Sequence, residues 1–294
     1  MNTLSKCLWV LLVTLSFQSH AQGVRVEKID LVVKELNDLK VLADVRILDA
    51  TTKPALVLVL PNAGGMDGTG PQYIRALNER GIATAEINPL AVDDWARRVL
   101  ITKAVMRYSV LRLGVDPNRI GIMGCSAGGM DSLLAASEPL MNKLAPAIRL
   151  RFKAHAALYP LCGVMHDAHI EPHMNWGTGT PAKSGQPNFY KGMFDKLTGG
   201  RILLLVGQKE DYEDAPTACG VLAKDLNSTE AGTTAELVVY SEAGHGWDVP
   251  GGGRTYSDKY SRKSSTIRHY RHQPTFEKSL AAVTEHFVRE LAPR

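Results

Sequence analysis

Apolar and polar side chains alternate over residues 24–33 (VRVEKIDLVV) and 39–48 (LKVLADVRIL), the two-residue period of strands with one face in water. Residues 55–60 (ALVLVL) are apolar without interruption, as in a strand covered on both faces. A glycine-rich loop over 62–70 follows. A helix is predicted over 72–80, stopped by Gly81, and a strand over 82–87. Trp95, Val99, Met106, Val110 and Leu113 recur at helical spacing and predict a long helix over about 93–113, with Asp93 or Asp94 at its start and Gly114 at its end. After the Asp116-Pro117 turn, residues 119–123 read as a strand running into Gly124-Cys125-Ser126-Ala127-Gly128-Gly129 and a helix over about 127–137. Strands over 152–159, 201–206 and 236–240 and a helix over 214–227 follow, and a last helix places Phe276, Leu280, Val283, Phe287 and Leu291 on one face. Residues 161–200 show no clear period and read as an insertion over one face; residues 249–273 read as a basic loop.

Strands alternating with helices imply an α/β fold: a mostly parallel central sheet, helices on both faces, and the two leading strands as an antiparallel edge. No internal repeat or linker is visible, so residues 22–294 read as a single domain. A composition 45% hydrophobic and 22% charged is that of a globular chain. The balance of 34 basic against 30 acidic residues argues against a nucleic-acid binder, and no apolar stretch reaches the roughly 18 residues of a membrane span.

The N-terminus changes this picture. Lys6, an apolar run over 7–17 and the small residues of Ser19-His20-Ala21 have the form of an export signal cleaved after Ala21, which places the mature chain in the periplasm or outside the cell. Cys7 leaves with the signal. Cys125, Cys162 and Cys219 remain, and an oxidising compartment permits one disulfide. Cys162–Cys219 is the candidate pair, because neighbouring strands of a sheet would bring the two together, although spacing alone leaves the connectivity open.

Gly124-Cys125-Ser126-Ala127-Gly128 matches G-x-S-x-G, with a strand before it and a helix after it. In that setting a sharp turn lifts the Ser126 hydroxyl above the sheet and aims a helix N-terminus at it. A serine hydroxyl needs a base. His245, in Gly244-His245-Gly246 after the last strand, stands where the base is expected. The acid should follow the strand over 201–206, where four carboxylates compete. Asp214 precedes Ala215-Pro216 and reads as a helix cap, and Glu213 reads as solvated. Glu210 and Asp211 remain, and spacing does not separate them. An oxyanion hole needs two backbone N–H groups. Ala127 is the first candidate, and Ala63, then Gly64, is the second, from the loop after the strand over 55–60.

PNAGG at 61–65, DPNRIGIMGCSAGG at 116–129, LLLVGQKEDYEDAPTAC at 203–219 and YSEAGHGWD at 240–248 together resemble the dienelactone hydrolase family of the α/β-hydrolases, over about residues 54–291. The resemblance implies a triad of Ser126, His245 and an acid. In similar sequences the acid stands three residues after the strand-end glycine, which is Glu210 here, where Asp is usual. Founding members carry Cys at the nucleophile position, and the serine here implies a more general ester hydrolase. Such a site calls for no cofactor.

Two further patterns carry polar side chains in number. His166, Asp167, His169, Glu171 and His173 are metal-ligand types, but their order fits no zinc signature, and they read as a polar flap rather than a metal site. Arg254, Lys259, Arg262, Lys263, Arg268 and Arg271 read first as a solvated loop, and alternatively as a patch for an anionic or polymer-borne ester. The expected activity is an exported serine esterase acting through an acyl-serine on a small-molecule or polymer-borne ester, with no nucleic-acid partner. The alternatives are an exported peptidase on the same triad and a non-catalytic binding protein that keeps the fold.

Overall fold

A computed structural model of the chain describes residues 24–34, 38–48, 52–87, 94–229 and 234–293. The expected export signal and Asp93 lie outside them. The chain begins with β1 (Val24–Val33), β2 (Leu39–Leu48), β3 (Leu56–Leu60), α1 (Gly70–Glu79), β4 (Ala83–Ile87), α2 (Trp95–Leu113), β5 (Ile120–Cys125), α3 (Ala127–Leu134), α4 (Glu138–Leu144) and β6 (Ala154–Leu158). It continues through α5 (Cys162–Ile170), β7 (His173–Asn175), β8 (Thr180–Pro181), β9 (Gln186–Pro187), β10 (Arg201–Gly207), α6 (Ala215–Asn227), β11 (Ala235–Tyr240), β12 (Arg254–Tyr256), β13 (Ile267–His269) and α7 (Gln273–Glu290).

Eight strands form one sheet in the order β1-β2-β4-β3-β5-β6-β10-β11. The β1–β2 and β2–β4 pairs are antiparallel and the rest are parallel, as the alternation of β1 and β2 against the apolar run of β3 predicts. The two-residue period sorts the core. Leu56, Leu58 and Leu60 of β3 enter one cluster, with Val99 of α2, Leu133 of α3 and Leu222 of α6. Val57 and Val59 point the other way and join Tyr73 of α1 with Phe276 and Phe287 of α7. Helices therefore cover both faces, and the loops at the carboxyl ends of the parallel strands gather along one edge of the sheet.

Asp94 caps α2 by accepting from Ala96 N at 2.9 Å, and Gly114 ends it at φ 71°. The helix expected over 127–137 is two. α3 stops at Leu134, and Ser137 accepts from Leu140 N to start α4. The stretch 161–200 is less irregular than its sequence suggests, since it holds α5 and a small sheet in the order β8-β7-β9. Cys162 at the start of α5 is bonded to Cys219 of α6, closing 57 residues of chain. Cys125 is the free cysteine among the described residues, and it is buried.

Candidate active site

Ser126 stands in the turn between β5 and α3 with φ 51° and ψ −113°, a backbone that L-residues seldom adopt. Its N–H donates to Leu158 O of β6 at 2.8 Å, which ties the turn to the neighbouring strand. Glycine is required on both sides. A Cβ on Gly124 would lie 2.3 Å from the Gly128 carbonyl, and one on Gly128 would lie 2.5 Å from Pro61 O. α3 begins at Ala127, whose N–H has no acceptor within the helix and stands beside the Ser126 hydroxyl.

His245 is fully buried in the loop after β11, with Nε2 2.9 Å from Ser126 Oγ and Nδ1 2.8 Å from Glu210 Oε2. The carboxylate accepts, so Nδ1 carries the proton and Nε2 is left as the acceptor for the serine O–H. Glu210 Oε1 accepts from the N–H groups of Asp211 and Tyr212 at 3.0 and 3.2 Å, which fixes the carboxylate plane. The next residue turns away. Asp211 Oδ2 accepts from Arg268 N and Nε, and its Oδ1 accepts from Arg268 Nη2, at 2.9–3.1 Å. That guanidinium holds the Asp211 carboxyl below its ordinary pKa. Of the two acids left open by the sequence, Glu210 is the one that meets His245.

Three aromatic rings enclose the imidazole, and only their residue types were visible in the sequence. Tyr159 meets it edge-on at 4.7 Å between centroids, Tyr212 at 4.6 Å and His269 at 4.9 Å. Each ring is pinned. Tyr159 O–H donates to Asp248 Oδ1 at 2.6 Å, and Tyr212 O–H donates to Asp258 Oδ2 at 2.8 Å. His269 Nε2 lies 2.6 Å from Tyr256 Oη. Burial, then the neighbouring His245, pushes the His269 pKa down to about 3, so it stays neutral beside the first ring. Asp248 is completely buried and also accepts from Tyr73 O–H at 2.7 Å; burial raises its pKa. It lies in the segment quoted for the family resemblance, yet nothing local to it signals a partner in α1.

Ser126 opens onto two clefts. One, of about 470 Å³, is lined by Ala63, Ala127, Trp95, Trp176, Tyr260 and Arg98, among others. The second, of about 290 Å³, is bounded by Asn62, Ala63, Gly64, Arg254 and His269. Ala63 borders both. The N–H of Gly64 donates to Asn62 Oδ1 at 2.7 Å and is therefore committed, which removes it as an oxyanion donor in this conformation. Asn62, in turn, donates from Nδ2 to Asp67 Oδ2 at 2.6 Å and so fixes the loop.

Several expectations need correction. Glu213 is not solvated: it is 5% exposed, accepts from Gly163 N at 3.0 Å, and burial pushes its pKa up to about 7. Asp214 holds the cap position of α6 but makes no side-chain capping bond. The basic loop is not simply solvated. Arg268 is bound to Asp211, Lys263 Nζ donates to Glu210 O at 2.7 Å, and Arg271 Nη1 donates to Asp248 O at 2.9 Å. Arg262 donates to Asp167 Oδ2 at 2.7 Å and to Gly179 O. Arg254 and Lys259 line the clefts. The metal-type residues are drawn into separate contacts, His166 with Asp225 at 3.1 Å and His169 Nδ1 with Phe194 N at 3.2 Å. Cys162, Glu213 and Cys219 cluster, but the two sulfurs are bonded to each other.

Residues 102–266, more than half of the chain, match the model of the prolyl oligopeptidase family. No curated protein matches significantly. Among solved structures, a Klebsiella pneumoniae protein described as a dienelactone hydrolase is 17% identical with a TM-score of 0.60, covering 91% of this chain and 99% of its own. Esterase 2 of Thermogutta terrifontis, phosphonylated by sarin, is 16% identical with a TM-score of 0.64, covering 92% and 97%. Est1E from Butyrivibrio proteoclasticus is 16% identical with a TM-score of 0.57, covering 91% and 99%. These likenesses establish the α/β-hydrolase fold, within which both the matched family and the resemblance noted above fall.

Proposed function

The chain belongs to the prolyl oligopeptidase family, and on that premise we propose that it is a serine hydrolase that cleaves carboxylic esters through an acyl-serine. The observation that carries this reading is the unbroken chain Ser126–His245–Glu210, with bonds of 2.9 and 2.8 Å, mounted on a strand-turn-helix elbow. Ser126 Oγ attacks the acyl carbon as its proton passes to His245 Nε2. Glu210 stabilises the imidazolium, and the amides of Ala127 and Ala63 receive the oxyanion. The tetrahedral adduct collapses with protonation of the leaving alcohol by His245, and water repeats the sequence to release the acid. Ester panels test this. Ser126→Ala is expected to lower kcat by about four orders of magnitude or more, and a variant as active as the parent would refute the nucleophile.

The matched family gives peptide hydrolysis on the same triad a specific claim. Fluorogenic peptides assayed beside the esters decide between the two, and the ester reading requires the higher kcat/KM on esters. Export is part of the proposal. It is supported by the N-terminal pattern and by the Cys162–Cys219 bond, which suits an oxidising compartment. Fractionation of cells expressing the full chain tests it; a product with its N-terminus intact in the cytoplasm would count against it.

A further inference from the structure

β1 ends the large sheet. It pairs with β2 on one side, and no described strand follows it on the other. Its 10 residues contain no Pro and run against β2 without a bulge, so two devices that keep an edge strand from taking a neighbour are missing. Even-numbered side chains share one face of the strand. Val24, Val26, Lys28, Asp30 and Val32 are all exposed there, Val26 and Val32 at 53% each. Leu42, which stands opposite Asp30 on β2, adds to this apolar surface. A long exposed edge with apolar side chains is a surface for strand pairing. Lys28 would oppose that, as an edge lysine does, unless a carboxylate met it. Among the described residues neither Lys28 nor Asp30 makes an ion pair or a side-chain hydrogen bond.

The order of these side chains is self-complementary. A two-fold axis perpendicular to the sheet sets β1 antiparallel to a second β1, with even residues opposite even residues. With the axis at Ile29, Lys28 of each copy faces Asp30 of the other, and Val26 faces Val32. The residue on the axis is then apolar. An axis at Glu27, Lys28 or Asp30 sets that charge directly against its own copy, which is destabilising. We propose that the protein is a homodimer in which two β1 strands pair antiparallel about Ile29 and join two eight-stranded sheets into one. The occupant of the edge is a second copy because β1 itself supplies, at the right spacing, both the acid for Lys28 and the base for Asp30. The axis reverses the strand direction between copies. The carboxyl ends of the parallel strands, and with them the two Ser126 clefts, therefore open in opposite directions.

Sedimentation equilibrium of the purified protein and of three variants tests this. The parent is expected to hold two chains per particle. Lys28→Asp and Asp30→Lys each place like charges opposite one another and should raise the dimer Kd at least about tenfold. The two substitutions combined exchange the charges and should return the Kd to within about threefold of the parent. A substitution that merely damaged β1 would not be rescued by a second one. Circular dichroism checks that each variant folds. If a single variant does not fold, the parent still decides. Heavy-isotope and ordinary protein are mixed in equal amounts and treated with a zero-length carbodiimide, and the expected peptides join Lys28 of one isotope to Asp30 of the other. A parent that sediments as a monomer at about 0.1 mM chain overturns the proposal. So does a dimer without that mixed-isotope link, and so does a combined variant that dimerises as weakly as the single ones.

Discussion

The turn after β10 and the loop over 249–273 lie against each other and use their charges in opposite ways. In the turn, Glu210 is 2% exposed and gives its carboxylate to the buried ring of His245. In the loop, Arg268 is two-thirds exposed and gives its guanidinium to Asp211, the very next residue of the turn. Two adjacent carboxylates are thus divided between a buried imidazole and an exposed guanidinium. The dry pair polarises a histidine, where low dielectric strengthens the interaction. The wet pair holds β13 to the turn after β10, and solvent around the guanidinium screens much of its energy. Removing each should therefore cost different things.

The largest effect after loss of the serine itself is expected at Glu210. Glu210→Gln retains the shape but loses the charge and the tautomer control of His245, and kcat should fall by about three to four orders of magnitude with little change in KM. Steady-state kinetics on any accepted ester checks this. The Cys162–Cys219 bond ties α5 to α6. Replacing both cysteines by alanine should lower stability by about 2–4 kcal/mol in urea melts, with smaller effects on kcat. Glu213 sharpens the contrast between dry and wet acids. Its folded pKa of about 7 lies above its ordinary value, so its contribution favours the fold below about pH 4.5 and is lost as pH rises through 7. Glu213→Gln should therefore gain stability relative to the parent between pH 5 and pH 8, by on the order of 1–2 kcal/mol, read from paired melts. Asp211→Asn is the smallest. It loosens a pair whose guanidinium is exposed, and kcat should fall by less than about tenfold. A loss at Asp211 equal to that at Glu210 would erase the comparison.

Much of this was legible in the chain because the signals were local. The alternation of β1 and β2 reports one wet face, the unbroken run of β3 reports none, and the elbow at Ser126 carries its glycines within four residues. What was not legible depends on distant partners. Glu213 looks solvated until Gly163, fifty positions earlier, presents its N–H. α5 hides its period because Val164, Met165 and Ala168 are buried together under a disulfide and a small sheet. Glu210 and Asp211 were inseparable because the curl of a turn decides which one faces His245, and Arg268, 57 residues on, takes the other. Asp248 reaches His245 through Tyr159, and Tyr256 through His269, contacts that no spacing announces.

The most direct test of the central claim is a fluorophosphonate adduct mapped by peptide mass spectrometry on the purified parent and on Ser126→Ala. The expected result is one adduct per chain, on Ser126, and none in the variant. An adduct on another residue, or equal labelling of the variant, would contradict the assignment of Ser126 as the nucleophile activated by His245 and Glu210.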